Sequence, residues 1–278
     1  MKAIISHDID HLSVSEHVFS DMIIPKFIFR SKIELLSGKI CVKEFVSRMA
    51  DLLKNKWHNI DELITYNRTK NIPTSFFIGV RKGTGLNYSN DLAKIWANQI
   101  IERKCNLYVH GINFENIEVI TAEKNEFEKV FETGAVGMRM HYVKRNEDTI
   151  SNFAKAGYKF DSTVYNFENP YKVGGMWEFP FQIMDGWIIE NNKKWQDRNC
   201  EKCKEATKKV IDKCRKNNLE YIGIDFHDRY FSNSFKTWIE WYCWLIDYLI
   251  SEGINFIDFE NAINELEKSS IEKITNKQ

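Results

Sequence analysis

The chain has 278 residues, enough for one large α/β domain with a sizeable core. Its 39 basic and 39 acidic residues cancel, so no net field draws it to nucleic acid or an anionic membrane, and a small or neutral partner fits better. No apolar run approaches the ~20 residues of a membrane span and no basic-then-apolar leader is visible, so a cytoplasmic location is expected. The six cysteines, Cys41, Cys105, Cys200, Cys203, Cys214 and Cys243, are expected to be reduced thiols, because disulfide frameworks belong to smaller secreted domains. Cys200 and Cys203 have the gap of a zinc knuckle, but no second pair at comparable spacing completes a four-ligand site.

Short β-like runs alternate with longer stretches whose apolar residues recur at three- and four-residue steps, the signature of βα units in one sheet. In chain order the pattern predicts a strand at 2–6, helices at 42–56 and 61–70, a strand at 74–80, a helix at 90–104 and a strand at 107–110. A helix at 122–132, a strand at 137–142, a helix at 148–156 and strands at 160–164 and 177–184 follow. The last elements are a helix at 201–217, a strand at 221–226, a helix at 235–251, a strand at 255–259 and a helix at 261–267. No Pro/Gly/Ser-rich linker interrupts them, so residues 1–278 are expected to form a single domain, a distorted (β/α) barrel of about seven parallel strands. The lysine-rich stretch 193–216 and the tail after Ser269 are expected to be solvated, and Trp238, Trp241 and Trp244, on one side of a helix, to serve packing.

Chemistry concentrates at the predicted strand ends. Asp8 and Asp10 alternate onto one face, and two carboxylates this close need a cation or a shared proton; the competing reading is a loop in which one aspartate caps the next helix. His110 precedes Gly111 at the end of another strand. Arg139 and His141 share the inward face of a third, where charge is costly without partners. Asp225 and His227 close the set, with Asp225 placed to orient the histidine. His7 and His11 flank the aspartate pair, whereas His17 and His58 read as surface residues. Metal ligands, a general base and a general acid are what a mononuclear hydrolytic site requires.

These residues resemble the polysaccharide deacetylases of the NodB-homology type, the carbohydrate esterase family 4-like enzymes. Asp8-Ile9-Asp10 is similar to the family's first motif, in which the first aspartate is the base and the second binds metal. His110-Gly111 resembles the opening of the second motif, Gly137-Met138-Arg139 the third, Phe160-Asp161-Ser162-Thr163 an aromatic-Asp-Ser-Ser/Thr strand, Trp177-Glu178-Phe179-Pro180 followed by Met184-Asp185 the next stretch, and Asp225-Phe226-His227 the last motif with its general acid. The order holds across residues 1–230. Two positions depart from the pattern: Phe114 stands where a second ligand histidine is usual, and His141 where proline is usual. His141 is therefore read as the substitute ligand, as in a branch of the family with Arg-x-His-Tyr at this point, with Phe114 expected to line the wall of the site.

The resemblance implies one divalent metal ion, most simply zinc, held by Asp10, His110 and His141. It implies Asp8 as base, Arg139 as its ion-pair partner, His227 as acid with Asp225 beside it, and Tyr142, Asp161 and Trp177 as substrate contacts. The implied reaction is removal of an N-acyl group, most simply acetyl, from an amino sugar or glycan precursor. Two alternatives stay open at this level: a barrel of the same kind acting on a non-sugar C–N bond, and a glycan-binding barrel without catalysis.

Overall fold

Strand β1 (Lys2–Ile9) is buried on both faces after its first residue, which is why its sequence shows little polar alternation. It lies near the middle of a sheet that continues with β2 (Ser75–Ile78), β3 (Asn106–Gly111), β4 (Gly137–Met140), β5 (Phe160–Asp161), β6 (Tyr171–Val173), β7 (Met176–Glu178), β8 (Phe181–Met184), β9 (Tyr221–Asp225) and β10 (Asn255–Phe256). The computed structural model describes residues 1–18 and 20–275. The strand order is β6-β7-β5-β4-β3-β2-β1-β9-β8, with β10 also on β1, and every pair is parallel except β6 with β7. Helices connect most of the parallel strands, giving a mixed α/β fold with a curled, barrel-like sheet.

The curl is completed by one stretch of chain. Residues 177–181 run beside 160–165: β7 pairs with β5, Phe179 N–H donates to Asp161 O (2.8 Å), and Phe181 N–H donates to Val164 O (2.9 Å). The continuation of the same stretch, β8, pairs with β9. The predicted strand 177–184 is thus split in two at Pro180, which has no N–H to offer a ladder.

Alternation along the strands divides the apolar residues into two cores. Ala3, Ile5, Ile9, Phe76, Ile78, Val109 and Met138 pack against the helices. Ile4, Phe77, Tyr108, Phe160 and Phe179 fill the barrel floor together with Phe259 and Ala262 of helix Phe259–Thr275. Above that floor, on the same inward face, stand Asp8, Arg139 and Asp225.

Several boundaries differ from those predicted. β1 runs on to Ile9, so Asp8 is a strand residue, and the strand expected at 255–259 shrinks to Asn255–Phe256 because helix Phe259–Thr275 starts at once. That helix also carries residues after Ser269 that were expected to fray. Helix Ile23–Leu36 was not predicted, although Phe27, Ser31 and Glu34 form a buried face at helical spacing. Helix Cys200–Lys216 buries Cys203, Thr207, Ile211 and Cys214 and turns most of its lysines outward. Trp238 and Trp241 are fully buried, as a packing role requires, and Trp244 is half-buried. His17 and His58 are buried, against expectation: His17 is held between Glu16 and Asp21, and His58 lies against Trp96.

Gly223 in β9 sits where the stretch around Pro180 crosses over. A Cβ there would lie 2.8 Å from Phe181 Cα and 2.9 Å from Pro180 O, both backbone atoms. Gly223→Ala is expected to destabilise the fold by about 1–3 kcal/mol, seen as a lower urea midpoint at unchanged m; an unchanged midpoint would show that the crossing yields freely.

Candidate metal centre

The carboxyl ends of the parallel strands carry the chemistry. Asp10 follows β1, His110 is the penultimate residue of β3, His141 follows β4, Asp185 follows β8 and His227 stands just past β9. Asp10 Oδ1, His110 Nε2 and His141 Nδ1 form a triangle in which each pair is 3.1 Å apart. Ligand atoms held about 2.0–2.1 Å from one ion lie about 3.0–3.4 Å from each other, so the triangle has the size of one face of a coordination sphere.

The far nitrogen of each imidazole is already committed. His110 Nδ1 donates to Arg139 O (3.2 Å) and His141 Nε2 donates to Thr84 O (2.9 Å). These bonds fix the tautomers and leave the lone pairs of His110 Nε2 and His141 Nδ1 turned on one another and on a carboxylate. A proton can bridge one pair of these atoms, whereas a metal ion satisfies all three. The same charge preference shows in the pKa directions. Burial would raise Asp10, yet the positive charge that His141 takes up beside it holds it well below the usual carboxylate range. Burial would lower His141, yet Asp10 raises it.

A strained turn fixes His141. Tyr142 (φ 56°) and Val143 (φ 48°) both take left-handed conformations, which cost energy for non-glycine residues, most of all a β-branched one. The turn leaves the Tyr142 side chain half-exposed at the site, near Gly85.

Behind the triangle, Arg139 is wholly buried. Its Nη1 donates to Asp8 Oδ1 and Asp225 Oδ1, each at 2.9 Å, Nε donates to Ser162 O (2.9 Å), Nη2 donates to Ser162 Oγ (3.1 Å), and its face rests on the Phe77 ring at 4.4 Å. Burial works against ionisation of Asp8, but Arg139 and the nearby histidines hold its pKa below the ordinary value. Asp225 is raised, by burial and by the Asp8 charge, despite Arg139. Asp8 Oδ2 lies 3.8 Å from His110 Nε2, beside the triangle. On the other side, His227 Nε2 is 3.6 Å from Asp10 Oδ2.

Asp185 is the hydrogen-bond partner of His227: Nδ1 donates to Asp185 Oδ1 (2.9 Å) and the His227 backbone N–H to Oδ2 (2.9 Å). Burial would lower His227, yet the Asp185 carboxylate, through its charge and its hydrogen bond, holds it well above the ordinary histidine value. The orienting bond expected from Asp225 therefore comes from Asp185, and Asp225 spends its Oδ1 on Arg139. Asp185 stands at the start of a short helix directly after a strand end; Met184-Asp185 belongs to the stretch by which the sequence resembles the family, but no role in the site was expected of it.

A cavity of about 590 Å³ opens over these groups, lined among others by Asp8, Asp10, His110, His141, Tyr142 and His227. Asp161, Trp177 and Phe114, expected here, do not border it. Asp161 is fully buried, accepts from Thr163 Oγ1 (2.6 Å) and stands beside Glu178. Trp177 packs in the barrel-floor cluster and donates to Glu267 (2.8 Å). Phe114 packs against the outer core, its carbonyl taking the Thr149 hydroxyl. A second group of ligand-type side chains, His11, Glu16 and His17, lies beside the cavity, with His17 Nε2 2.9 Å from both His11 Nδ1 and Glu16 Oε1.

No family sequence model matches the chain, and no curated protein does. Solved structures do. A protein assigned as a polysaccharide deacetylase from Mycobacterium smegmatis superposes with a TM-score of 0.65 over 97% of this chain and 90% of its own, at 13% identity. One so assigned from Pseudomonas aeruginosa PAO1 gives 0.59 over 94% and 88%, at 11% identity. The fold is that of the polysaccharide deacetylases. An allantoinase shares it, with a TM-score of 0.61 over 94% of this chain and 87% of that one, at 10% identity. At these identities the likeness carries the fold, and the activity has to be argued from the site.

Asp225 is protonated in the folded chain at pH values where an unfolded aspartate, near 3.8, has lost its proton. The native state then binds more protons than the unfolded one, so this group's stabilisation is complete below the unfolded value and is lost as pH climbs through the raised folded value. In metal-stripped protein, stability should decline with rising pH above about 4, and Asp225→Asn, neutral throughout, should flatten the decline. Identical slopes in urea titrations of the two proteins would count against a shifted Asp225.

Proposed function

We propose that residues 1–278 form a single metal-dependent hydrolase domain that removes an N-acyl group, most simply acetyl, from an amino sugar or glycan precursor. The observation that carries this reading is the triangle of Asp10, His110 and His141, with both imidazoles locked in the tautomer that aims a lone pair inward. Two imidazole nitrogens and one carboxylate oxygen are donors that suit zinc. A divalent ion in this place supplies Lewis acidity at the acyl carbonyl.

The chain's own groups supply the proton chemistry. Asp8, kept ionised by Arg139, presents Oδ2 beside the triangle and takes the proton from the attacking water. His227, kept protonated by Asp185, presents Nε2 from the other side and gives its proton to the departing amine nitrogen. Tyr142, half-exposed over the centre, is a substrate contact. The base is thus held low and the acid held high by different partners, the separation a general acid–base pair requires. The six unpaired cysteines suit a reducing compartment, in keeping with a cytoplasmic location.

Asp10→Ala, His110→Ala and His141→Ala are each expected to lose bound metal, whereas Asp8→Asn should keep it and lose about 10²- to 10⁴-fold in turnover. Metal analysis of the purified variants, with acetate release from N-acetylated sugars and sugar nucleotides, makes the check. Full metal content in His141→Ala would remove His141 from the ligand set.

Asp185→Asn should leave metal content intact and lower the pKa of His227. A general acid must hold its proton, so the alkaline limb of the pH–rate profile should move to lower pH. A limb that stays in place would assign the acid to another group.

A further inference from the structure

Two residues beyond His227, the same cavity contains a cation that the proposed chemistry does not use. Arg229 lines the cavity and is only 8% exposed. Its guanidinium is stacked on Trp57, 3.8 Å from the ring centre, with Phe27 at 4.9 Å on its flank. Aromatic rings satisfy the face of a guanidinium but offer no acceptor to the N–H groups around its edge. Nε of Arg229 has no hydrogen-bond partner, and no carboxylate ion-pairs with the group among the described residues. The arginines that share the cavity are paired: Arg30 with Glu34 and Glu190, Arg48 with Glu34 and Glu44. Asp228, the carboxylate next in sequence, accepts the Asn59 backbone N–H (3.0 Å) on Oδ2.

A buried guanidinium without an acceptor is costly, and a fold retains one where a partner arrives from outside. Burial, with Arg30 and Arg48 close by, pulls the Arg229 pKa down to about 10, so the group remains a cation at neutral pH but an under-compensated one. Lys26 and Lys194 border the same cavity, both exposed. They extend the positive wall outward, while Asp10, Asp8 and Asp185 are committed to the metal triangle, to Arg139 and to His227, and burial pushes the Asp228 carboxyl up to about 7, toward its neutral form.

We infer that Arg229 is an anion-recognition residue: the substrate carries a carboxylate or phosphate group, which Arg229 binds through the free edge of its guanidinium while the acylated nitrogen lies at the metal centre. The inference rests on the hydrolase reading for the reacting group, and on Arg229 alone for the anion. A forked, planar donor held rigid between aromatic rings suits two oxygens of one oxyanion, and both kinds of group present them. A neutral N-acetyl sugar leaves this donor unmatched.

The test is calorimetric binding to the metal-loaded protein of N-acetylglucosamine, N-acetylglucosamine 1-phosphate and the corresponding 2-acetamido uronic acid. At least one anionic sugar should bind about 10- to 100-fold more tightly than the neutral one, the range of a charge-assisted hydrogen-bond pair. The better of the two identifies the source of the negative charge. Arg229→Gln should abolish the preference with metal content unchanged, which also subtracts any anion affinity of the metal itself. Arg229→Lys keeps the charge without the fork, should retain part of the preference, and serves if the glutamine variant fails to fold. Equal binding of neutral and anionic sugars to the wild type, or a preference that survives both substitutions, overturns the inference. Anion-selective binding without acetate release from any sugar would instead refute the deacetylase reading and leave the anion site standing.

Discussion

The structure depends on one buried cation. Arg139 stands inside the barrel, above an apolar floor of Phe77, Tyr108 and Phe160, with no water-exposed surface of its own. A guanidinium there is tolerable only because every side of it is answered: carboxylates of β1 and β9 at one end, the carbonyl and hydroxyl of Ser162 along its edge, the Phe77 ring beneath. Those partners come from strands distant in sequence, so the closed curl of the sheet and the compensation of Arg139 are the same requirement met at one point. The constraint also decides which acid is ionised. Asp8 and Asp225 share Nη1, and like charges so close push one carboxyl toward its protonated form; the pKa directions assign that form to Asp225 and leave the charge on Asp8.

The layers above Arg139 follow from it. The backbone carbonyl of Arg139 accepts from His110 Nδ1, so the residue that fixes the base through its side chain also fixes a ligand tautomer through its main chain. His141, two residues on, turns away from the strand in a left-handed step and is caught by Thr84 O. The strain in that step persists because the hydrogen bond and the packing around it over-determine the conformation.

Much of this was legible in the sequence, for a definite reason. Parallel strands buried on both faces concentrate apolar residues so strongly that the polar exceptions, Asp8, His110, Arg139, His141 and Asp225, stand out against them, and period-two alternation then says which share a face. Groups that act through loops and helix starts carry no such contrast. Asp185 falls in a stretch that the family resemblance marks, but only the pairing of β8 with β9 brings it beside His227 and gives it a role. Trp177 and Asp161 lie in the right strands, but Trp177 faces the floor below the site, a distinction of depth, and Asp161, next to the floor residue Phe160, alternates onto the other face beside Glu178. Helix Ile23–Leu36, which contributes Phe27 and Arg30 to the cavity, escaped because it begins in the irregular segment after β1, with Pro25 in its first turn and Met22, which has no capping side chain, at its N-cap.

Acid and base in this site are poised by partners that do not touch each other. Arg139, deep in the barrel, lowers Asp8; Asp185, at the rim beside the cavity, raises His227. Burial opposes both shifts, since it disfavours the charged form of either group. Each shift is therefore the surplus of a specific ion pair over a desolvation cost, and the interval between the two pKa values is set by two separate contacts on different strands. Arg229 extends the same logic to binding: a charge desolvated by aromatic rings and without a protein acceptor gains most from an anion delivered with the substrate. In a chain whose formal charges sum to zero, local imbalance of this kind, and not the overall field, provides the basis for choosing a ligand.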